Sequence, residues 1–84
     1  MEIDYEPRAF KFLKKIPPPD RARVTDRIAT LEADPRPPGS IKLEGMRNAW
    51  RIRQGDYRII YRIDDEAGVV TITKIGQRGD VYGA

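Results

Sequence analysis

The sequence contains neither cysteine nor histidine among its 84 residues. Without cysteine the chain can form no disulfide and offers no thiolate as a nucleophile or as a metal ligand. Without histidine it lacks the side chain that most often exchanges protons near neutral pH and most often binds metals. Any catalysis must therefore use arginine, lysine, tyrosine or carboxylate side chains, and we expect no metal site built on thiolate or imidazole ligands and no small-molecule cofactor.

Long apolar runs are missing as well. No stretch approaches the roughly 20 consecutive apolar residues that a membrane-spanning helix needs, and the N-terminus has no signal-peptide pattern. A length of 84 residues fits one domain. We therefore expect residues 1–84 to form a single domain of a cytoplasmic protein that has no membrane partner.

The most informative segment that is present runs from Trp50 to Ile63. Gly55-Asp56 suits a two-residue type II′ turn, which favours glycine at its first central position because φ is positive there. The segment is therefore predicted to be a β-hairpin in which Arg53 faces Arg58. Because side chains alternate along a strand, one face should carry Trp50, Ile52, Ile59 and Tyr61. The opposite face should carry Arg51, Arg53, Arg58, Ile60 and Arg62.

Positive charge is concentrated on this hairpin. From Arg47 to Arg62 the chain has five arginines and a single acid, Asp56, whereas the whole chain has a net charge of only +3. Like charges that face each other across a strand pair repel, so this face makes poor sense for stability alone. It suits a phosphate-bearing polyanion, while an ordinary solvated face is the alternative interpretation.

The remaining pattern predicts an α+β fold. A short strand at residues 1–5 precedes a helix that begins at Pro7, and three prolines end this helix at residues 17–19. Asp20 is the predicted N-cap of a second helix that ends at Asp34. With the hairpin and a last strand at residues 69–75, the order is β-α-α-β-β-β. We expect a helical hairpin on one face of a small, mainly antiparallel sheet, with the other face open and basic.

Several short phrases in a fixed order carry a family resemblance and together span nearly the whole chain. They are Pro7-Arg8-Ala9, Asp34-Pro35-Arg36, Lys42-Leu43-Glu44-Gly45-Met46, Trp50-Arg51-Ile52-Arg53, Gly55-Asp56-Tyr57-Arg58-Ile59-Ile60-Tyr61, Gly76-Gln77-Arg78 and Asp80-Val81-Tyr82. With them the chain resembles the RelE/ParE superfamily of bacterial and archaeal toxins, and RelE-type mRNA interferases most closely. The resemblance implies a fold like that of microbial ribonucleases, and a toxin of a type II toxin–antitoxin system that a cognate antitoxin protein holds inactive. It also implies a metal-independent endoribonuclease that cleaves mRNA in the ribosomal A site, by attack of the 2′-hydroxyl on the adjacent phosphate.

The resemblance also implies the site residues. The catalytic set falls on Arg53, Arg58, Arg78 and Tyr82, and the RNA-binding set on Arg51 and Arg53, to which the arginine-rich segment adds Arg47 and Arg62. Arg58 and Arg78 would stabilise the charge that develops on a pentacoordinate phosphorane, because guanidinium groups stay charged and donate bidentate hydrogen bonds. Tyr82 would stack on a base or donate a proton.

The chain departs from RelE-type enzymes in its possible proton acceptors. These enzymes often have lysine where this chain has Arg51 and Arg53, and many have histidine or lysine where it has Gln77. Arginine seldom releases its proton and glutamine cannot titrate, so Tyr82, Asp80 or a ribosomal RNA group would have to serve. Two alternatives therefore remain open: a ParE-like toxin that inhibits DNA gyrase without nuclease activity, and a non-catalytic module that binds RNA or an antitoxin.

Overall fold

A computed structural model of the chain describes residues 1–77. Its elements are β1 (Glu2–Tyr5), α1 (Pro7–Lys15), α2 (Pro18–Ala29), a 3-10 turn (Thr30–Glu32), β2 (Ile41–Lys42), β3 (Ala49–Gln54), β4 (Tyr57–Asp64) and β5 (Val69–Gln77). The strands form one sheet in the order β1-β5-β4-β3-β2. β1 pairs with β5 in parallel and all other neighbours are antiparallel. The α+β fold class is confirmed, and the two-residue strand β2 is an addition that the sequence pattern did not predict.

The two helices begin at prolines and are separated by prolines. Pro7 opens α1 and Pro18 opens α2, where the missing proline N–H costs nothing because the first helical N–H groups have no partner inside the helix. The prediction that Asp20 is the N-cap of α2 is wrong. Pro17 occupies the N-cap position, and Asp20 lies in the first turn of the helix. There its carboxylate is still favourable near the positive end of the helix dipole, and it forms a salt bridge of 3.1 Å with Arg23.

A single apolar core lies between the helical hairpin and one face of the sheet. The helical hairpin contributes a stripe of buried side chains, namely Ala9, Leu13, Val24 and Ile28 from the helices and Ile16 from the residue after α1. The strands contribute Ile52, Tyr57, Ile59, Tyr61, Ile63, Val70, Ile72 and Ile75. The helices thus cover one face of the sheet, as predicted. We call the opposite face, which carries Arg51, Arg53, Arg58, Arg62 and Lys74, the open face.

The hairpin has the predicted register. Residues Trp50 to Gln54 pair with Tyr61 to Tyr57, so Arg53 lies opposite Arg58. Gly55 has a φ of +60°, a value that suits glycine at the first central position of a type II′ turn. The predicted division into two faces is therefore confirmed for this pair of strands.

A β-bulge interrupts the pairing of β4 with β5. Ile60 lies opposite Lys74, whereas the next residue, Tyr61, lies opposite Ile72. Thr73 is consequently the extra residue of β5, and its hydroxyl donates a hydrogen bond of 3.2 Å to the carbonyl oxygen of Ile60. A bulge of this kind shifts the alternation of side chains by one residue along the strand.

Candidate RNA-binding face

The basic residues of the open face lie in rows that run across the strands. Arg53 and Arg58 form the row nearest the hairpin turn. The next row contains Arg51, Ile60 and Lys74, and Ile41 of β2 extends it at the sheet edge. The hairpin therefore brings Arg51, Arg53 and Arg58 together, as the sequence predicted.

Arg53 and Arg58 are held close together by the turn. In a two-residue hairpin the residues that flank the turn, Gln54 and Tyr57, form a hydrogen-bonded pair. The following pair is then a non-hydrogen-bonded one, with Cα atoms about 4.5 Å apart. Two side chains of the same charge thus start from adjacent backbone positions on an open surface, which favours the binding of an anion between them.

The arginines of the open face form no salt bridge in the part of the chain that the structure describes. The salt bridges within residues 1–77 join Arg23 to Asp20 and Arg36 to Asp65. The Nε atoms of Arg51 and Arg58 are buried and form no hydrogen bond with any described residue. A buried donor without a partner is costly, which distinguishes these two arginines from the cations of an ordinary solvated surface.

Ile60 lies beneath the basic side chains of Arg51 and Lys74 on the open face. It lies on the open face, yet it is only 5% exposed. Arg51 and Lys74 flank it on the neighbouring strands, and the methylene stems of long basic side chains commonly cover apolar surface in this way. The charged ends of Arg51 and Lys74 consequently lie beside the apolar surface of Ile60.

Arg47 and Arg62 lie away from the row of Arg53 and Arg58, and Arg62 is at the other end of the open face. They line a depression of about 570 Å³ together with Glu6, Asp64 and Thr71. Arg62 pairs with Ala49 and Thr71, and Asp4 lies beyond Thr71 on β1. Acidic groups therefore accompany these two arginines, in contrast to the row formed by Arg53 and Arg58.

Two residues of the predicted catalytic set, Arg78 and Tyr82, lie outside the described residues, as does Asp80. The described part of β5 ends at Gln77, which lies opposite Tyr57 at the turn end of the hairpin. Gln77 also lines a groove of about 280 Å³ that is bordered by Asp20, Arg23, Gln54 and Tyr57. The last described residue therefore lies near the row of Arg53 and Arg58.

The aromatic residues of the hairpin serve mainly the core and its rim. Tyr61 is fully buried, and its hydroxyl donates a hydrogen bond of 2.7 Å to the carbonyl oxygen of Pro35. Burial raises the pKa of Tyr61 to about 12. Trp50 is half-buried, and the guanidinium of Arg36 lies 5.4 Å from the centroid of its ring. Arg36 also binds Asp65 at 2.9 Å, and this hydrogen-bonded contact lowers the pKa of that carboxyl.

Lys74 is a cation of the open face that the sequence-based argument did not identify. Strict alternation from Val70 and Ile72 would direct it towards the core, and only the bulge at Thr73 brings it opposite Ile60. The sequence does contain a signal, because the buried positions Val70, Ile72 and Ile75 break the spacing of two.

No helix within residues 1–77 is long and apolar enough to cross a membrane.

The helical hairpin on one face of a mixed sheet, with a row of arginines on the other face, defines a class of small α+β proteins with a basic sheet surface. Comparison with known proteins identifies the family within that class. Residues 3–82 match the family described as the ParE toxin of type II toxin-antitoxin systems, parDE. The chain belongs to this family, within the RelE/ParE superfamily, and it is a RelE-type toxin of a toxin–antitoxin system.

Individual relatives place the chain on the RelE side of the superfamily. It is 31% identical to Toxin RelG of Mycobacterium tuberculosis over 81 residues, which cover 95% of this chain and 93% of the relative. It is 30% identical to the mRNA interferase toxin RelE of Escherichia coli over 84 residues, which cover 95% of this chain and 87% of the relative. The crystal structure of the archaeal RelE-RelB complex from Pyrococcus horikoshii is similar with a TM-score of 0.83 and 30% identity, covering 95% of this chain and 97% of the other.

Proposed function

We propose that the chain is a ribosome-dependent, metal-independent endoribonuclease that cleaves mRNA in the A site. The observation that carries this proposal is the row of Arg53 and Arg58, which face each other without an acidic partner among the described residues. The Escherichia coli relative, which is named an mRNA interferase, supports the reaction class. An arginine surface of this kind suits RNA because phosphate and guanidinium groups match in charge and in geometry.

In the proposed reaction the ribose 2′-oxygen attacks the adjacent phosphorus. The O2′–P bond forms and the P–O5′ bond breaks, so the products are a 2′,3′-cyclic phosphate and a 5′-hydroxyl end. The 2′-hydroxyl proton passes to an acceptor, and the departing 5′-oxygen gains a proton. Arg58 and Arg78 are assigned to the negative charge of the phosphorane, while Arg51 and Arg53 hold flanking phosphates. Tyr82 is assigned to base stacking or proton donation.

The outer arginines are assigned to weaker contacts. Arg47 and Arg62 line the depression that also contains Glu6 and Asp64, so acidic groups partly compensate their charge. We assign them to the RNA strand beyond the scissile phosphate. Their replacement should therefore weaken binding more than it slows the chemical step.

We also propose a cognate antitoxin as the physiological partner in the cytoplasm. The Pyrococcus horikoshii RelE was crystallised as a complex with RelB, which supports a partner of the same kind here. An acidic antitoxin segment would neutralise the open face and exclude RNA from it. The ribosome and its mRNA would become the partners when the antitoxin is removed.

The deciding experiment is primer extension on mRNA from cells that express this chain. Arg58→Ala and Arg78→Ala are compared with wild type. Lys11→Ala serves as the matched control, because Lys11 is an exposed residue of α1. Codon-phased cuts should appear with wild type and with Lys11→Ala. Each arginine variant should lose about 10²–10³ in cleavage rate, by analogy with the removal of one oxyanion-hole donor.

A gyrase inhibitor is the second candidate function, because the matched family is described by the ParE toxin. The same strains distinguish the two functions. Growth arrest without mRNA cuts, together with inhibition of DNA supercoiling by the purified protein, would replace the nuclease by the gyrase inhibitor. Growth arrest without either effect would leave the non-catalytic binding module.

A further inference from the structure

The bulge at Thr73 has a specific result: it transfers Lys74 from the core side of the sheet to the open face. Upstream of the bulge, Val70 and Ile72 point into the core, and downstream of it Ile75 does so again. The bulge is held in place on both sides of the strand. The Thr73 hydroxyl donates to the carbonyl oxygen of Ile60, and Nε of Arg8 donates to the Thr73 carbonyl oxygen at 2.9 Å. Bulges next to functional sites commonly serve to re-aim one side chain.

Lys74 lies on β5 at one end of a row of the basic surface. Ile60 separates it from Arg51 in the same row, so the Cα atoms of the two cations are about 10 Å apart, two strand spacings. Arg58 pairs with Gly76, which puts Lys74 at a diagonal position to Arg58, about 7–8 Å away. Gly76 adds no side chain on that strand.

Asp4 and Asp64 lie at the other corner of the sheet, and the acid nearest to Lys74 along the β1 side is Glu6, whose backbone N–H donates to the carbonyl oxygen of Ile72. Asp4 pairs with Thr71, and the pairing of β1 ends at Tyr5 opposite Ile72. No strand neighbour on the β1 side therefore faces Lys74, and the lysine forms no salt bridge within residues 1–77. It is half-buried, so its stem is constrained by its neighbours while its ammonium group has no hydrogen-bonded carboxylate partner among the described residues.

We propose that Lys74 is a phosphate-binding residue of the open face, which holds the RNA backbone on β5 across from Arg51 on β3. The proposal rests on the proposed function of this face as an RNA-binding surface. It implies that the RNA strand runs across the β-strands, with one phosphate at Arg51 and a later one at Lys74. Ile60 lies between them as an apolar surface against which a ribose or a base can pack.

A phosphate contact depends on charge and not on the proton-accepting ability of the amine, and this distinction determines the test. Lys74→Arg keeps the positive charge and a comparable reach, whereas Lys74→Met keeps the apolar stem and removes the charge. Lys11→Met is the matched control, because Lys11 is an exposed lysine of the helical layer. All variants are full-length chains in which Thr73, Ile60 and Arg8, the residues that form the contacts of the bulge, are unchanged.

The measurement is equilibrium binding of a short fluorescent single-stranded RNA whose 2′-oxygens are methylated, so that it cannot be cleaved. At low salt Lys74→Met should bind about tenfold more weakly, which corresponds to about 1.4 kcal/mol. The slope of log affinity against log salt concentration should decrease by about 0.7, as for one lost phosphate contact to a single strand. Lys74→Arg and Lys11→Met should retain both the affinity and the slope of wild type.

Three results would overturn the proposal: wild-type affinity for Lys74→Met, an equal loss for Lys74→Arg and Lys74→Met, or no binding of this RNA by wild type. The proposed nuclease function fails by a different result. If wild type binds the RNA through Lys74 but cuts no mRNA in the primer-extension experiment, the lysine contact stands and the nuclease does not. A circular-dichroism melt of each variant excludes loss of the fold as the cause.

Discussion

Arg53 and Arg58 face each other across two antiparallel strands, at the positions where side chains approach most closely. Directly opposed like charges destabilise a sheet, and no acid among residues 1–77 forms a salt bridge with either. The pair is therefore unfavourable in the free protein and favourable in the presence of a polyanion. A conflict of this kind between stability and function is typical of a binding surface.

This conflict predicts that Arg53→Glu stabilises the free protein. An opposite-charge pair replaces a like-charge pair, so the free energy of unfolding should rise by about 0.2–1 kcal/mol, as measured by urea denaturation at low salt. Added salt should reduce the gain, because it screens exposed charges. Lys42→Glu is the control, since Lys42 is exposed and faces Trp50 and not another cation. An equal gain for both variants would show that overall charge, and not the Arg53–Arg58 pair, is responsible.

Tyr61 gives a prediction for alkaline pH. Burial raises its pKa to about 12, above the value of about 10 of an exposed tyrosine. The neutral phenol is thus favoured by folding. Its contribution to stability is complete below about pH 10 and is lost as the pH rises towards about 12. Tyr61→Phe should flatten this alkaline decline, and the part that remains should include Tyr5, whose pKa burial also raises.

The same variant should be less stable at neutral pH, because it removes the hydrogen bond to the carbonyl oxygen of Pro35. The expected cost is about 1–3 kcal/mol, since the acceptor is left without its donor. Chemical denaturation at a series of pH values measures both effects. An alkaline decline as steep as that of wild type would contradict the role assigned to Tyr61.

At the level of elements, the hairpin turn positions the two arginines that face each other. Gly55 has a φ of +60°, a conformation that costs a residue with a Cβ atom about 1–2 kcal/mol. We expect Gly55→Ala to lower the free energy of unfolding by about this amount, and Asp56→Ala in the same turn to have little effect. If the two substitutions cost the same, the conformation of the turn is not what restricts this position.

The hairpin and the helices could be predicted from the sequence because local rules determine them. The glycine of the turn fixes the register, alternation then assigns the faces, and prolines delimit the helices. Asp20 shows where a local rule failed: an N-cap preference was outweighed by Pro18 and Pro19, which are well suited to the first helical positions.

The features that could not be predicted depend on contacts between distant segments. β1 pairs with β5 across most of the chain, and β2 consists of two residues that pair with β3. The bulge at Thr73 depends on Ile60 and on Arg8, neither of which is close in sequence. Lys74 was missed for this reason, since its position on the open face follows from the bulge and not from alternation.

At the level of the whole molecule, the two faces of the sheet have different tasks. The helical layer covers the apolar core, and the open face presents cations without acidic partners around Arg58. This difference between the two sides of the molecule predicts that an acidic partner binds only the open face. In the proposed function that partner is the antitoxin before activation and the RNA afterwards.

Binding of the antitoxin should stabilise the toxin measurably. A ligand that binds only the folded state at a concentration of 100 times its Kd adds about 2.7 kcal/mol. The melting temperature of the toxin should therefore rise when the cognate antitoxin is added, and the rise should be smaller for Arg53→Glu. Equal melting temperatures for free and bound toxin would contradict stabilisation by the partner.

The most direct test of the central claim, that the open face is the working surface, compares two double variants with equal loss of charge. Arg53→Ala with Arg58→Ala empties the row on the open face, and Lys11→Ala with Arg23→Ala removes two exposed cations from the helical layer. The rate of mRNA cleavage is measured in a reconstituted translation system. We expect cleavage to be abolished in the first variant and retained in the second, whereas an equal loss in both would contradict the account.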